Sequence, residues 1–309
     1  MTEPALLLHS DPGEVMDVLE RCAGLDWRSA ASPAEVEPLL TSHRPTVVFS
    51  IKHTGFPGAA HRPAILAPSV RWFHVGGSGI DHLAGYDASA VKLTTCAGVL
   101  APFLAERALA ALLYLSTGLD GFVAAQTRRE WRPDRFEPLA GRLALIVGAG
   151  QVGDQLAQRL RALGVEVHGI AREPRTSPHY EGVYASGELD AWLPRADIVS
   201  VHLPLNEDTR GRLDAKRLAL LRPGAIFLNS SRGAIVDEGA LVERLRQPEG
   251  ARLGGAWLDV FEEEPLPRTS SLWGEPRLLV TPHCADQVAD FPVRFAQRFV
   301  ELWSESSCE

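Results

Sequence analysis

The sequence predicts an α/β protein built from a doubly wound parallel sheet and a second, smaller α/β domain. Three observations carry this. Short apolar runs bounded by turn residues alternate with helix-period segments along the chain, the pattern of parallel strands joined by crossover helices. One strand–turn–helix–strand unit is complete within residues 141–172, GRLALIVGAGQVGDQLAQRLRALGVEVHGIAR. A length of 309 residues is long for one core and suits two.

In the complete unit, Leu143 to Val147 is an apolar run of the kind buried on both faces. It leads into Gly148-Ala149-Gly150-Gln151-Val152-Gly153, which matches G-x-G-x-x-G. Leu156, Leu160 and Leu163 recur at helical spacing, Gly164 ends the helix, and Val165–Ile170 is the next strand. Glycines in such a turn let the backbone approach a pyrophosphate, whose charge sits at the helix N-terminus. Residues 148 and 150–153 therefore mark a Rossmann dinucleotide site.

The end of the second strand bears on which dinucleotide. NAD sites usually place an acid about 20 residues past the glycines, on the ribose hydroxyls. This chain has Ala171, then Arg172-Glu173-Pro174-Arg175. Two guanidiniums pair with a 2′-phosphate that an acid would repel, which favours NADP over NAD. The other reading keeps Glu173 as the ribose ligand and both arginines as solvated loop residues.

Composition bounds the partners. The net charge of −8 argues against nucleic acid and gives no membrane-surface signal. No run approaches the ~20 apolar residues of a membrane span, and the start of the chain lacks a signal-peptide pattern. Cys22, Cys96, Cys284 and Cys308 are scattered, which suggests neither a zinc site nor a disulfide framework. No metal is expected, and the cytoplasm is the expected compartment.

Taken in order, Ala5–Leu8 reads as a strand, residues 14–23 as a helix, and Val47–Ile51, Val70–Val75 and Lys92–Cys96 as further strands. The turn after Val75 is Gly76-Gly77-Ser78-Gly79, able to aim several N–H groups at an anion, although a plain turn is the blander reading. Lys52 and His53 follow a strand end and read as solvated loop residues that could also face a cleft. Residues 102–119 form a helix apolar nearly all round, hence central or at a subunit contact. Residues 127–140 (TRREWRPDRFEPLA) read as irregular. Strands at Ile198–Leu203, Ala225–Asn229, Gly254–Val260 and Leu278–Thr281, with helices at 214–221 and 238–246, complete the doubly wound pattern. A last helix runs from Phe291 to about Trp303.

Ligands of such sheets bind beyond the carboxyl ends of the strands. Three strands deliver polar groups there: Ser231 and Arg232; Asp259 and Glu262-Glu263-Glu264; and His283. Arg can grip a carboxylate bidentately, His can move a proton near neutral pH, and an acid can orient the His and raise its pKa. Taken singly, each has a bland reading: a surface arginine, one of three solvated acids, a packed histidine.

Several segments together resemble the D-isomer-specific 2-hydroxyacid dehydrogenase family. They are GAGQVG at 148–153, VHLPLNEDTRG at 201–211, LRPGAIFLNSSRGAIVDEGAL at 221–241, WLDVFEEEPLP at 257–267 and VTPH at 280–283. GGSGIDHL at 76–83 and residues 104–113 match the family's substrate-domain loop and interface helix. The resemblance implies that Arg232 binds the substrate carboxylate and keto oxygen, that His283 is the acid/base, and that Glu264 keeps it protonated. It further implies the Ser78 and Gly79 amides as a carboxylate grip and Asp259 facing the nicotinamide amide. Leu203, Pro204, Thr209 and Ser231 are implied as cofactor contacts. The REPR at 172–175 is similar to the segment of glyoxylate/hydroxypyruvate reductases that prefer NADPH. Asn206, Cys284 and Ala285 depart from the family pattern, and the N-terminal domain matches least.

The resulting expectation is a flavodoxin-like substrate domain at 1–97, a Rossmann NAD(P)-binding domain at 98–284, and a segment at 285–309 returning to the substrate domain. The active site is expected in the cleft between the domains. The reaction is hydride transfer from NADPH, or NADH, to a small 2-keto acid such as glyoxylate or hydroxypyruvate, giving the D-2-hydroxy acid, in a homodimer. Two alternatives are an NAD-dependent enzyme for a bulkier D-2-hydroxy acid, and a non-catalytic nicotinamide-sensing protein of the same fold. Lys52 and Cys284 carry no assigned role.

Overall fold

The computed structural model describes residues 2–53, 55–83 and 85–306. The first hundred residues run β1 (Glu3–Leu8), α1 (Gly13–Leu19), β2 (Leu25–Ala30), α2 (Val36–His43), β3 (Val47–Ile51), α3 (Arg62–Ile65), β4 (Trp72–Gly76) and β5 (Lys92–Thr95). Then come α4 (Ala101–Ser116), α5 (Leu119–Arg128), β6 (Leu143–Val147), α6 (Gln151–Ala162), β7 (Glu166–Ala171) and β8 (Gly182–Ala185). These are followed by α7 (Leu189–Trp192), β9 (Ile198–Val201), α8 (Ala215–Leu220), β10 (Ile226–Asn229) and α9 (Glu238–Arg246). Last are β11 (Gly255–Leu258), β12 (Leu278–Val280) and α10 (Phe291–Ser306). The chain divides into two compact units, residues 1–100 with 288–309, and residues 101–287.

The first unit is a parallel five-stranded sheet of order β2-β1-β3-β4-β5. This is the flavodoxin-like order, whose direction reverses between β1 and β3. β3 is buried throughout, as VVFSI requires. α10 belongs to this unit: it buries Phe295, Ala296 and Phe299, and Phe299 meets the rings of Trp27, Phe49, Trp72 and His74.

The second unit is a parallel seven-stranded sheet of order β12-β11-β10-β9-β6-β7-β8. Relative to its first strand, β6, this is the doubly wound order, reversing between β6 and β9. β9, β10 and β11 are wholly buried. Asp214 and Asp237 start α8 and α9 by accepting the amides of Arg217 and Ala240, each at 2.9 Å. The fold class is the one expected.

Some elements depart from expectation. β2 and β8 were not anticipated, and α5 extends helix to Arg128 where a loop was expected. The apolar face of α4 is used inside its own unit: Ala105, Ala108, Ala111 and Leu112 join one core with Ile146, Leu156, Leu160 and Trp257. Among the described residues no single helix is long and apolar enough to cross a membrane; α4 and α5 meet the test only jointly and are bent by 62°.

Candidate active site

At the reversal point of the larger sheet, β6 delivers the glycine turn. Gly148 has φ +104°, and a Cβ there would lie 2.5 Å from the carbonyl oxygen of His202. A Cβ on Gly153 would lie 2.6 Å from the Gly148 carbonyl oxygen. Both positions therefore exclude a side chain. Gly150, between them, would direct a Cβ into open space. Ahead of it stand the first-turn amides of Gln151, Val152 and Gly153, which have no intrahelical acceptor. Closed packing on two glycines and an open approach at the third fit a dinucleotide pyrophosphate.

Beyond β7, Arg172 and Glu173 are exposed. Arg175 folds back: its Nη2 donates to the Ala149 carbonyl at 2.8 Å and pairs with Asp154 in the first turn of α6. Its guanidinium also lies 5.9 Å from the Tyr180 ring centre. Of the two arginines expected at a 2′-phosphate, Arg175 thus has a carboxylate partner, and Arg172 has none among the described residues.

Leu203 and Pro204 follow β9 after one intervening residue, His202. Thr209 builds its own turn, donating from Oγ1 to the Pro204 carbonyl at 2.6 Å and accepting the Asn206 amide at 2.8 Å. Asn206, the departure from the family pattern, returns the bond by accepting the Thr209 amide at 3.1 Å.

Three strand ends then converge. At the end of β10, buried Asn229 accepts the Ser231 hydroxyl and amide, at 2.6 and 3.0 Å, and donates to the Arg232 carbonyl at 3.2 Å. This ties the turn that carries Arg232. The next residue, Gly233, is pressed against the neighbouring loop: a Cβ there would come within 1.9 Å of the Phe261 carbonyl carbon. Glu264, in that loop, accepts the Phe261 amide on Oε1 at 3.0 Å. Its Oε2 lies 2.7 Å from His283 Nδ1.

His283 sits beyond β12 in the left-handed region, φ 47°. Its amide donates to the carbonyls of Asp259 and Thr281, at 2.7 and 3.0 Å. The Asp259 carboxylate, 1% exposed, braces the same loop by accepting the Thr281 hydroxyl at 2.5 Å and the amides of Cys284 and Ala285 at 3.1 and 2.9 Å. Three donors leave this carboxylate about one acceptor position for anything else. The hydrogen bond to Glu264 raises the pKa of His283 above its ordinary value, against burial and the Arg232 charge; the charges of Glu264 and Asp286 act with it.

Ser78 and Gly79 lie in the smaller unit, in the turn after β4. Cys22, Cys96 and Cys284 are free thiols, and Cys308 lies outside the described residues. Among the described residues no group of three or more His, Cys, Asp or Glu side chains is placed to hold a metal ion.

The family model for the NAD binding domain of D-isomer specific 2-hydroxyacid dehydrogenases matches residues 109–285, more than half of the chain. The chain belongs to this family. It is 43% identical over 143 residues to an (S)-sulfolactate dehydrogenase of Chromohalobacter salexigens, covering 45% of each protein. It is 35% identical over 184 residues to glyoxylate/hydroxypyruvate reductase A of Citrobacter koseri, covering 58% of this chain and 57% of that one. The matched stretch is thus less than two thirds of the length of either curated relative. Among solved structures, an NADPH-dependent glyoxylate/hydroxypyruvate reductase from Sinorhizobium meliloti, in complex with NADP and sulfate, superposes with a TM-score of 0.80 at 29% identity. That match covers 99% of this chain and 96% of the other.

Within this family member, reading the sequence missed Asn229, Thr281, Asp154 and Tyr180 as parts of the site's scaffold. Asn229 left one signal, a lone amide closing an otherwise apolar strand. Tyr180 left none, since only the fold lays its ring beneath Arg175.

Proposed function

We propose that the chain reduces a small 2-keto acid, such as glyoxylate or hydroxypyruvate, to its D-2-hydroxy acid, with NADPH preferred over NADH. The observation that carries the reading is the 2.7 Å contact between Glu264 and His283, which raises the pKa of His283. Reduction of a ketone puts negative charge on its oxygen, and a proton donor with a raised pKa suits that change. Reduced nicotinamide, when bound at the glycine turn, supplies the hydride.

The protein's own groups do the rest. His283 gives its Nε2 proton to the keto oxygen, and Glu264 stabilises the cation before transfer and fixes the ring through Nδ1. Arg232 offsets charge on the substrate carboxylate and keto oxygen. The Ser78 and Gly79 amides take the carboxylate. Asp259 holds the loop that presents His283, and its remaining acceptor position serves the nicotinamide amide. Leu203, Pro204, Thr209 and Ser231 border the cofactor. Residues 101–287 hold the cofactor, and residues 1–100 with 288–309 select the substrate.

NADPH preference is supported by exposed Arg172 at the end of β7 and by NADP in the Sinorhizobium meliloti complex. The working form is proposed to be a cytoplasmic homodimer. Its support is the exposed apolar residues that one stretch gathers, Leu119, Val123, Trp131 and Phe136, Trp131 being 97% exposed.

The deciding experiment follows loss of reduced-nicotinamide absorbance with NADPH or NADH against glyoxylate, hydroxypyruvate, pyruvate and phenylpyruvate. Fast NADPH-dependent turnover of the first two is the expected result. NADH-dependent turnover of phenylpyruvate in preference to them would overturn the substrate and cofactor assignment. Cofactor binding with no turnover of any acid would favour a nicotinamide sensor.

A further inference from the structure

The rim of the glycine turn holds a charge arrangement that an NADPH preference does not by itself explain. Arg172, Glu173 and Arg175 follow β7, and Asp154 lies in the first turn of α6 beside them. The set has as many acids as bases, so its formal charges cancel. A 2′-phosphate, which is close to a dianion, calls for a surplus of positive charge.

Arg175 is fixed through both backbone and side chain. Its backbone forms an antiparallel bridge with Val183 of β8. Its Nη2 donates to the Ala149 carbonyl, inside the glycine turn, at 2.8 Å, and the same nitrogen pairs with Asp154. Tyr180 forms the floor beneath. A Cβ on Gly169 would come within 3.0 Å of its ring, and one on Gly153 within 3.1 Å of its hydroxyl oxygen, so strand, ring and helix start are pressed together. The Arg175 guanidinium lies 5.9 Å from the centre of that ring. Burial first, and then the charge of Asp154, pushes the pKa of the Tyr180 hydroxyl up.

The guanidinium therefore stands where an NADP site needs one. The ligand of the ribose 2′ position is found at the end of the second strand, about 20 residues past the glycines. Arg175 reaches from there back to the turn itself. Its charge, however, is already answered. The side chains of Arg175 and Asp154 are 37% and 30% exposed, and an ion pair this open to water holds weakly enough to be exchanged. Exchange for a phosphate is penalised twice. The pair is given up, and the Asp154 carboxylate is left uncompensated beside a second anion. A ribose hydroxyl makes neither demand.

We propose that Asp154 is a specificity-determining residue for the cofactor: it competes with the 2′-phosphate for Arg175 and so holds down the preference for NADPH over NADH. This rests on the dinucleotide reading of the glycine turn and deepens it. Arg172, exposed at the strand end, meets the phosphate first, and Arg175 joins it only by leaving Asp154. Greater selectivity for NADPH then needs no new cation, only the loss of one carboxylate.

The test measures Kd for NADPH and for NADH by nicotinamide fluorescence, with no keto acid present, in the parent and in Asp154→Asn and Asp154→Ala. The first variant keeps the shape of the side chain, the second removes its acceptor, and melting temperatures show that each is folded. Both should bind NADPH about tenfold tighter, the scale of one charge-assisted hydrogen bond, with NADH changed by about twofold or less. A carboxylate that merely steadies the first turn of α6 would, on removal, weaken both cofactors together, and that result overturns the proposal. A ratio of NADPH to NADH affinity equal to the parent's overturns it as well. With Arg175→Ala already in place, Asp154→Asn should keep only a small part of its gain. An undiminished gain there would trace the effect to Asp154 alone and overturn the competition for Arg175. A parent that binds neither nicotinamide overturns the dinucleotide reading itself, and this inference with it.

Discussion

His283 is the residue on which the chemistry turns, and its setting fixes the sign of the pH dependence. Its pKa is raised from about 6.5, foremost by the hydrogen bond to Glu264. Keto acid reduction needs the protonated ring. The rate should hold at low pH and fall as pH rises through the raised value, while oxidation of the hydroxy acid should rise over the same window. Glu264→Gln removes the stabilising charge, so the fall should move to lower pH; a pH–rate profile unchanged from the parent would separate Glu264 from the titration. His283→Ala should slow reduction by about 10²–10⁴-fold with cofactor binding retained, as expected for loss of a general acid. Arg172→Ala with Arg175→Ala should raise KM for NADPH about tenfold or more, from loss of charge-assisted bonds, and KM for NADH much less. Equal losses would assign both arginines to structure, and the Asp154 partner already gives Arg175 a structural tie. At this scale the sequence is only partly legible. It places Arg232, Glu264 and His283 at strand ends, but a 2.7 Å contact between residues 264 and 283 cannot be read from spacing, nor can the three bonds that occupy Asp259.

Elements explain what the sequence does and does not disclose. β6, β9, β10 and β11 are continuous apolar runs because helices cover both faces, and such runs are easy to read. β2 alternates between half-buried and exposed along LDWRSA and carries two charges, as an edge strand does, so its apolar signal is diluted. β8 has four residues, too short for periodicity. α5 starts after Gly118 in the left-handed region and contains Gly121, which hides a helix behind two turn signals. The glycine turn was legible as a motif, but the contacts that forbid a side chain at Gly148 and Gly153 were not. Gly233 makes the sharpest case. Gly233→Ala forces the Arg232 turn and the 261–264 loop apart, because the clash is with backbone. It should destabilise the protein by about 1–3 kcal/mol, as overpacking does, and lower turnover through displaced Arg232 and Glu264. A melting temperature and kcat equal to the parent's would show that the two loops yield independently.

At the scale of the whole molecule, the exposed stretch around Trp131 bears on assembly. Light scattering should return twice the 33.6 kDa of one chain. Trp131→Glu with Val123→Glu should shift the population towards monomer; a parent that runs as a monomer at micromolar concentration would remove the dimer from the proposal. The partition into two units has a different consequence, one of timing. The smaller unit is written in two instalments separated by residues 101–287, and its second instalment, α10, supplies the Phe299 ring that closes over Trp27, Phe49, Trp72 and His74. A ribosome adding ~5–20 residues per second takes roughly 10–40 s over that insertion. During this interval the nascent five-stranded sheet stands with one aromatic face bare, and at its end the larger unit has its whole sequence while α10 is still to be made. The order of maturation should therefore run against the order of synthesis, with the later-made unit folding first and the earlier-made one completed only when α10 emerges.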